Sequence, residues 1–149
     1  MKRILVGLDA SERAGGVLQA AADLARATGG TLILFRAVGV PHDIPVEAYS
    51  MTPAGLAELL EREAQRYLDG VAAKMPAGMV EAAMVHVGTP WQGICAAADE
   101  RQADIIVIGS HGYSGLDRII GTTAAKVVNH AKQTVLVVRG HWEIASGAD

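Results

Sequence analysis

The sequence lacks features that several classes of protein require. It has one cysteine, Cys95, among 149 residues, so no disulfide can form within the chain. None of its apolar runs approaches the roughly 20 residues of a membrane-spanning helix. Its first residues also lack the long apolar stretch and small-residue cleavage site of a secretory signal. We therefore expect a cytoplasmic protein that is not inserted in a membrane.

Charge is also scarce, at 19% of the residues, and the formal net charge is -3. No cluster of lysine and arginine supplies the basic stripe that usually carries nucleic acid binding, so we expect no nucleic acid partner. Hydrophobic residues make up 50% of the chain, which is typical of a packed globular protein. The length fits one domain, predicted over residues 1–140, with a short flexible tail over 141–149.

Short apolar segments alternate with longer amphipathic ones along the whole chain. The predicted strands are Lys2–Leu8, Thr31–Val38, Met79–Val87, Asp104–Ile108 and Thr134–Val138. The predicted helices run from Ser11 to the Gly29-Gly30 pair and over Ala54–Lys74, Thr89–Arg101 and Thr122–Ala131. This order predicts a single α/β domain, an open doubly wound five-stranded parallel sheet with helices on both faces. In such folds, ligands bind beyond the carboxyl ends of the strands, where the strand order reverses.

Helical spacing and capping preferences predict several side-chain positions. Ser11 is expected to cap the first helix, and Thr89 the third, with Pro90 at its first position. Cys95 is expected to be a buried small hydrophobe, and Lys126 to face solvent. The longest helix is predicted to bury Leu56, Leu59, Leu60, Glu63, Tyr67 and Val71. The last helix is predicted to place Ala124, Val127, Val128 and Ala131 on one face.

Two segments between these elements suggest a function. Gly39–Pro53 is a long loop with three prolines, and loops of that length in compact domains are usually functional lids or mobile segments. The second segment follows the fourth predicted strand. Gly109 and Gly112 there allow close approach of the backbone to a ligand. Gly121, Thr122 and Thr123 open a helix, whose first N–H groups favour an anion.

This second segment predicts a phosphate cradle built mostly from main-chain groups. A ligand-free glycine turn followed by a threonine-capped helix remains open as the alternative. Neither a Gly-Lys-Ser/Thr phosphate loop nor a G-x-G-x-x-G dinucleotide fingerprint is present in the sequence. The G-x-S-x-G turn of a hydrolase nucleophile is also absent.

The sequence resembles the universal stress protein family over nearly its whole length. The resemblance rests on Ile4–Ser11, on the Gly88-Thr89-Pro90 turn, on Val107–Gly112 followed by Gly121-Thr122, and on the apolar Val135–Val138. It implies a Rossmann-like fold of the adenine nucleotide alpha hydrolase-like type. In the branch with G-x2-G-x9-G-[S/T] it also implies ATP binding.

Carried onto this sequence, the resemblance implies a set of nucleotide contacts. The residues placed at the phosphates are Gly109, Gly112, Gly121, Thr122 and Thr123. Asp9 would meet the sugar or the base, although it could equally cap the first helix with Ser11. Val38 would line the adenine pocket. His111 lies inside the predicted phosphate segment and could donate to a phosphate oxygen, whereas Arg118 could lie either at a phosphate or at the surface. Magnesium (Mg2+) would enter with a triphosphate, since phosphates supply its ligands.

One departure from the family pattern concerns the spacing of the glycines. Only Tyr113–Ile120 separates Gly112 from Gly121, one residue fewer than in the pattern, so AMP and ADP stand beside ATP as ligands. The leading function is a stress-response or regulatory protein that binds adenine nucleotide. The alternatives are a slow ATPase or phosphotransferase, and a dimeric scaffold without nucleotide affinity. The family's pairing implies a homodimer through Thr134–Val138; the alternative is a strand covered by the chain's own tail with Trp142.

Overall fold

The computed structural model describes residues 2–9, 11, 13–39, 53–110 and 121–139. Most of the predicted loop, residues 40–52, and the predicted tail lie outside these ranges, as do His111, Gly112 and Arg118. Within the described ranges, no helix is both long enough and apolar enough to span a bilayer.

Five strands form one parallel sheet. They are β1 (Arg3–Gly7), β2 (Thr31–Val38), β3 (Val80–Val87), β4 (Ile105–Gly109) and β5 (Thr134–Val138). Their order across the sheet is β3-β2-β1-β4-β5, and every neighbouring pair is parallel. β1 therefore lies at the centre, and the chain builds outward from it first to one edge and then to the other. The predicted fold class is confirmed.

Four helices connect the strands: α1 (Ala14–Thr28), α2 (Pro53–Lys74), α3 (Pro90–Glu100) and α4 (Thr122–His130). Val17 and Ala21 of α1 and Leu68 of α2 pack on one face of the sheet. Ile94 of α3 and Val127 of α4 pack on the other face. The sheet is thus covered on both sides, as a doubly wound parallel sheet requires.

Burial on both faces explains the continuous apolar run of β1. Ile4 and Val6 contact the core beneath α1, whereas Leu5 points to the core beneath α3 and α4. All three side chains are fully buried, as the sequence predicted. Burying one such side chain contributes about 1.5–3 kcal/mol, so β1 anchors the residues that follow it at the carboxyl edge of the sheet.

The predicted apolar stripe of α2 is wrong at Glu63 and Tyr67, whereas its other members are half-buried: Leu56, Leu59, Leu60 and Val71. The structure buries Ala64 and Leu68, whereas Glu63 is exposed and Tyr67 is 38% exposed. The Tyr67 ring stays outside the core because it covers the guanidinium of Arg36, whose Cζ lies 4.7 Å from the ring centroid. A cation over an aromatic face is favourable, and it leaves the smaller alanine to pack against the sheet.

Candidate functional site

The point at which the strand order reverses lies between β1 and β4. From β1 the chain proceeds to β2 on one side, and it later returns to add β4 on the other side. Val6 is paired with Val107. Continuing that register by three residues brings Asp9 level with Ser110. The predicted ligand edge therefore has an acidic residue on one strand and the glycine-rich segment on the next.

The main chain of Ser110 joins three elements at this edge. Its N–H donates to the carbonyl oxygen of Val138 at 3.0 Å, and its carbonyl accepts the N–H of Gly121 at 3.2 Å. Ser110 is 8% exposed, and it is the one buried polar residue among the described parts of the chain. The end of β4 and the start of α4 are therefore bonded to each other, and residues 111–120 leave and rejoin the fold at one place.

The start of α4 offers main-chain donors. Gly121 is its N-cap residue, with no side-chain cap and no acidic residue in the first turn. The N–H of Ala125 donates to the carbonyl of Gly121 at 2.9 Å. The N–H groups of an α-helix's first turn have no acceptor within the helix. Thr122 is exposed and Thr123 is half-buried, so this turn can present donors to an anion.

Two further helices begin near the same edge because each follows a parallel strand. α1 starts after Arg13 and α3 after Thr89, and neither N-cap residue makes a side-chain cap. Thr89 is the N-cap residue of α3 and Pro90 occupies its first turn, both as predicted, although the Thr89 side chain makes no capping hydrogen bond. The positive ends of three helix dipoles therefore lie at the carboxyl edge of the sheet.

The Asp9 carboxylate is oriented by a local turn. Its Oδ1 accepts the Ser11 N–H at 2.9 Å and the Ser11 hydroxyl at 2.5 Å. The prediction that Ser11 caps α1 is therefore wrong, because its hydroxyl is used by Asp9 and the helix begins only at Ala14. Such a turn is a common way for aspartate to hold the backbone two residues on.

Val38 is the last residue of β2 and is half-buried. Its carbonyl accepts the N–H of Gly88 at 2.9 Å. Gly88 has a φ of 142°, a conformation that favours glycine. The β3–α3 turn is thereby tied to the end of β2, next to the strand that carries Asp9.

The structure thus brings six of the predicted site residues to one edge of the sheet: Asp9, Val38, Gly109, Gly121, Thr122 and Thr123. His111, Gly112 and Arg118 lie outside the described residues. In the part of the chain that the structure describes, no group of three or more His, Cys, Asp or Glu side chains could hold a metal ion. The sequence did not predict that Ser110 has a place at this edge. The one feature that could have indicated it is its position directly after a buried strand.

The structure tests two further predicted side-chain positions, one on α3 and one on α4. Cys95 is half-buried instead of buried, and its pKa is raised by burial and by the Asp99 carboxylate. Lys126 is exposed as predicted, and its Nζ lies 5.5 Å from the centroid of the Trp91 ring. This contact forms because α3 and α4 pack on the same face of the sheet.

Comparison with known proteins agrees with the fold described above. The model of the universal stress protein family matches residues 1–139. The chain belongs to this family. Universal stress protein Sll1654 of Synechocystis is 34% identical over 142 residues, which covers 92% of this chain and 85% of that protein.

Solved structures of the universal stress protein family share the fold. A member from Burkholderia pseudomallei is 27% identical with a TM-score of 0.73, and the match covers 93% of this chain and 96% of the other. A universal stress protein solved in complex with cAMP is also 27% identical, with a TM-score of 0.62 and coverage of 92% and 96%. The resemblance identified from the sequence is confirmed.

Proposed function

We propose that this universal stress protein binds an adenine nucleotide at the carboxyl edge of β1 and β4 and acts as a stress-response or regulatory protein. ATP is the favoured ligand, with ADP and AMP as alternatives. The observation that carries the proposal is the bond between Gly121 and Ser110. It sets the uncapped first turn of α4 near the end of β1, which Asp9 follows, and helix dipoles favour an anion there. The relative in complex with cAMP supports an adenine nucleotide.

The chemistry of the residues fits such a ligand. Main-chain N–H groups of Thr122 and Thr123 would donate to phosphate oxygens, together with the sequence-predicted contacts Gly112, His111 and Arg118. Gly109 and Gly121, whose own N–H is bonded to Ser110, would let the backbone approach the phosphates. The Asp9 carboxylate, oriented by Ser11, would accept a ribose or base hydrogen bond. Val38 would give apolar contact to adenine. Mg2+ would enter with a triphosphate, since phosphate oxygens are ligands that it accepts.

Thermal unfolding with and without nucleotide tests the proposal. ATP with Mg2+, ADP and AMP should each be compared, because a ligand at about 100 times its Kd adds roughly 2.7 kcal/mol of stability. The decisive variant is Thr122→Glu. A carboxylate on the exposed first residue of α4 favours the helix dipole but repels phosphate, so the unliganded protein should keep its melting temperature and lose the nucleotide shift.

Two controls accompany that variant. Thr122→Gln changes the size of the side chain without the charge and should keep most of the shift. Gln92→Glu adds the same charge to the exposed surface of α3 and should weaken binding less than Thr122→Glu. If no adenine nucleotide shifts unfolding of the unmodified protein, nucleotide binding is excluded and the scaffold alternative is favoured. If binding is seen, phosphate release over hours separates a sensor from a slow ATPase.

We also propose that the protein forms a symmetric dimer through the β5 edge. β5 is an edge strand with an apolar sequence, and unpaired apolar edges invite strand pairing. Val128 of α4 is 49% exposed, so its predicted place on the buried face of the helix is wrong. Lys126 and His130, which contact Trp91 of α3, are each two residues away, or about 200° around the helix.

Val128 therefore projects away from α3. It lies on the side of α4 towards β5, the edge strand of the sheet. A second copy of the chain would cover it there. Val128→Glu should convert a dimer to a monomer in light scattering. Val87→Glu is the matched control, because Val87 is a 39% exposed valine on β3, the strand at the opposite edge. A dimer that survives Val128→Glu, or a protein that is monomeric without any change, would rule out this interface.

A further inference from the structure

α4 contacts α3 through an aromatic side chain near the ligand edge. The Trp91 indole and the His130 imidazole have centroids 4.5 Å apart, with 35° between their planes. Lys126 Nζ lies 5.5 Å from the same indole centroid. Trp91 stands in the first turn of α3 and packs in the same apolar cluster as Ala124 and Val127. The indole thus contacts two side chains of α4 and packs against the apolar cluster to which α4 contributes.

The last turn of α4 is fixed by His130 itself. Its Nδ1 lies 2.7 Å from the carbonyl oxygen of Lys126. A carbonyl oxygen only accepts, so Nδ1 carries the proton and donates. The imidazole is therefore held against the helix on one side and against the indole on the other.

The size of α4 makes this contact important. The helix has 9 residues, and the two that it buries, Ala124 and Val127, are small. Small side chains define the tilt of a helix poorly, because they interlock little with their neighbours. Thr122, Lys126 and His130 are spaced by four residues and so share one side of the helix. If the tilt of α4 changed where the helix contacts the indole, the N–H groups of the first turn of α4 would therefore move.

We propose that Trp91 is a positioning residue for the nucleotide site and that it sets the preference for phosphate-bearing ligands over the nucleoside. The inference rests on the proposed function. Trp91 would not touch the ligand. It would hold α4 at the tilt that directs the first-turn N–H groups at the phosphates, while the contacts to adenine and ribose, made by β1 and β2, would not depend on it.

Calorimetric titration of ATP, AMP and adenosine into Trp91 variants tests this role. Trp91→Leu should weaken ATP binding about tenfold, the loss expected when a charge-assisted hydrogen bond is weakened. Its affinity for adenosine should be unchanged. Trp91→Phe keeps a ring against His130 and should restore most of the ATP affinity. Val17→Ala, which removes core contacts on the opposite face of the sheet, is the control for general loss of stability.

Fluorescence gives a second readout. With Trp142 replaced by Phe, the emission of Trp91 should change on adding ATP and much less on adding adenosine, because only the phosphates pull on α4. If Trp91→Leu weakened the binding of ATP and of adenosine equally, Trp91 would have only a structural role and the inference would be overturned. Unchanged ATP binding would also overturn it. If the unmodified protein binds no nucleotide, the proposed function itself fails; this result is distinct from a loss of selectivity.

Discussion

The imidazole of His86 occupies the space that a side chain at position 93 would need. A β-carbon built on Gly93 would lie 2.6 Å from Cγ of His86 and 3.0 Å from its Nε2. The ring also lies against Gly88, whose added β-carbon would be 3.0 Å from Nε2, and it stacks on Phe35 at 6.3 Å between centroids. β3 and α3 therefore approach each other closely because one partner has no side chain.

Gly93→Ala should therefore destabilise the fold although alanine is the better helix former. Overpacking a filled site costs about 1–3 kcal/mol, and the gain in helix propensity of about 1 kcal/mol offsets only part of it. We expect a net loss of up to about 2 kcal/mol, measured by urea unfolding. The double variant His86→Ala with Gly93→Ala should recover much of that loss. Additive losses in the double variant would show that the two residues do not compete for space.

Gly70→Ala should have the opposite effect. Gly70 is an exposed residue within α2, and a β-carbon there would meet nothing within 4 Å. Replacing glycine in a helix interior should therefore add about 0.5–1 kcal/mol. That corresponds to a rise in melting temperature of about 1–4 °C for a chain of this size. A fall in melting temperature would mean that α2 does not hold this conformation in solution.

Asp99 should make the stability of the fold depend on pH. Its pKa is lowered because Gln133 Nε2 donates to Oδ1 at 2.9 Å and Lys132 Nζ donates to Oδ2 at 3.3 Å. A carboxyl whose folded pKa lies below its unfolded value stabilises the fold above the unfolded pKa, about 4. That contribution is lost as the pH falls through the lower folded pKa.

Asp99→Asn should therefore lower the melting temperature slightly at about pH 7, and the difference from the unmodified protein should vanish at about pH 2. Glu100→Gln, which removes the same charge from the next residue, is the control. The effect should be small because the Asp99 side chain is 44% exposed and solvent screens such contacts. A difference that persists unchanged at low pH would contradict the assignment.

Cys95 should react slowly with thiol reagents. Burial, and then the Asp99 carboxylate, raise its pKa, and the thiolate is the reactive form. The rate with a disulfide reagent at about pH 8 should fall well below that of the denatured chain and rise as the pH approaches the raised pKa. Asp99→Asn should accelerate the reaction modestly. Equal rates for folded and denatured protein would show that the thiol is freely accessible and unperturbed.

Most of the fold was predictable because strands and helices differ in apolar period. The predicted and observed strands agree to within one or two residues, and β2 and β5 agree at both ends. The first helix was placed too early because Ser11 has two possible partners. The sequence alone does not show that its hydroxyl bonds to Asp9 and not to the helix. The stripe of α2 was wrong at Tyr67 because Arg36 holds its ring outside the core, a contact between residues distant in sequence.

The candidate site likewise contains residues that the sequence predicts and residues whose role depends on tertiary contacts. Gly121 and Thr122 could be predicted because glycine and threonine at a helix start have a local meaning. The role of Ser110 could not, because it depends on Val138 and Gly121 meeting its main chain from two different directions. Trp91 has helical spacing to Ile94 and Cys95 in the sequence, and only packing of α3 against α4 shows that its indole contacts Lys126 and His130.

The hydrogen bond between Ser110 and Gly121 joins the end of β4 to the start of α4. Because these two residues flank 111–120 and are bonded to each other, the contact between the end of β4 and the start of α4 does not depend on how many residues separate them. The Gly112-to-Gly121 spacing, one residue shorter than the family pattern, is therefore compatible with the observed sheet. A change in the length of this segment should leave the β4–α4 scaffold in place.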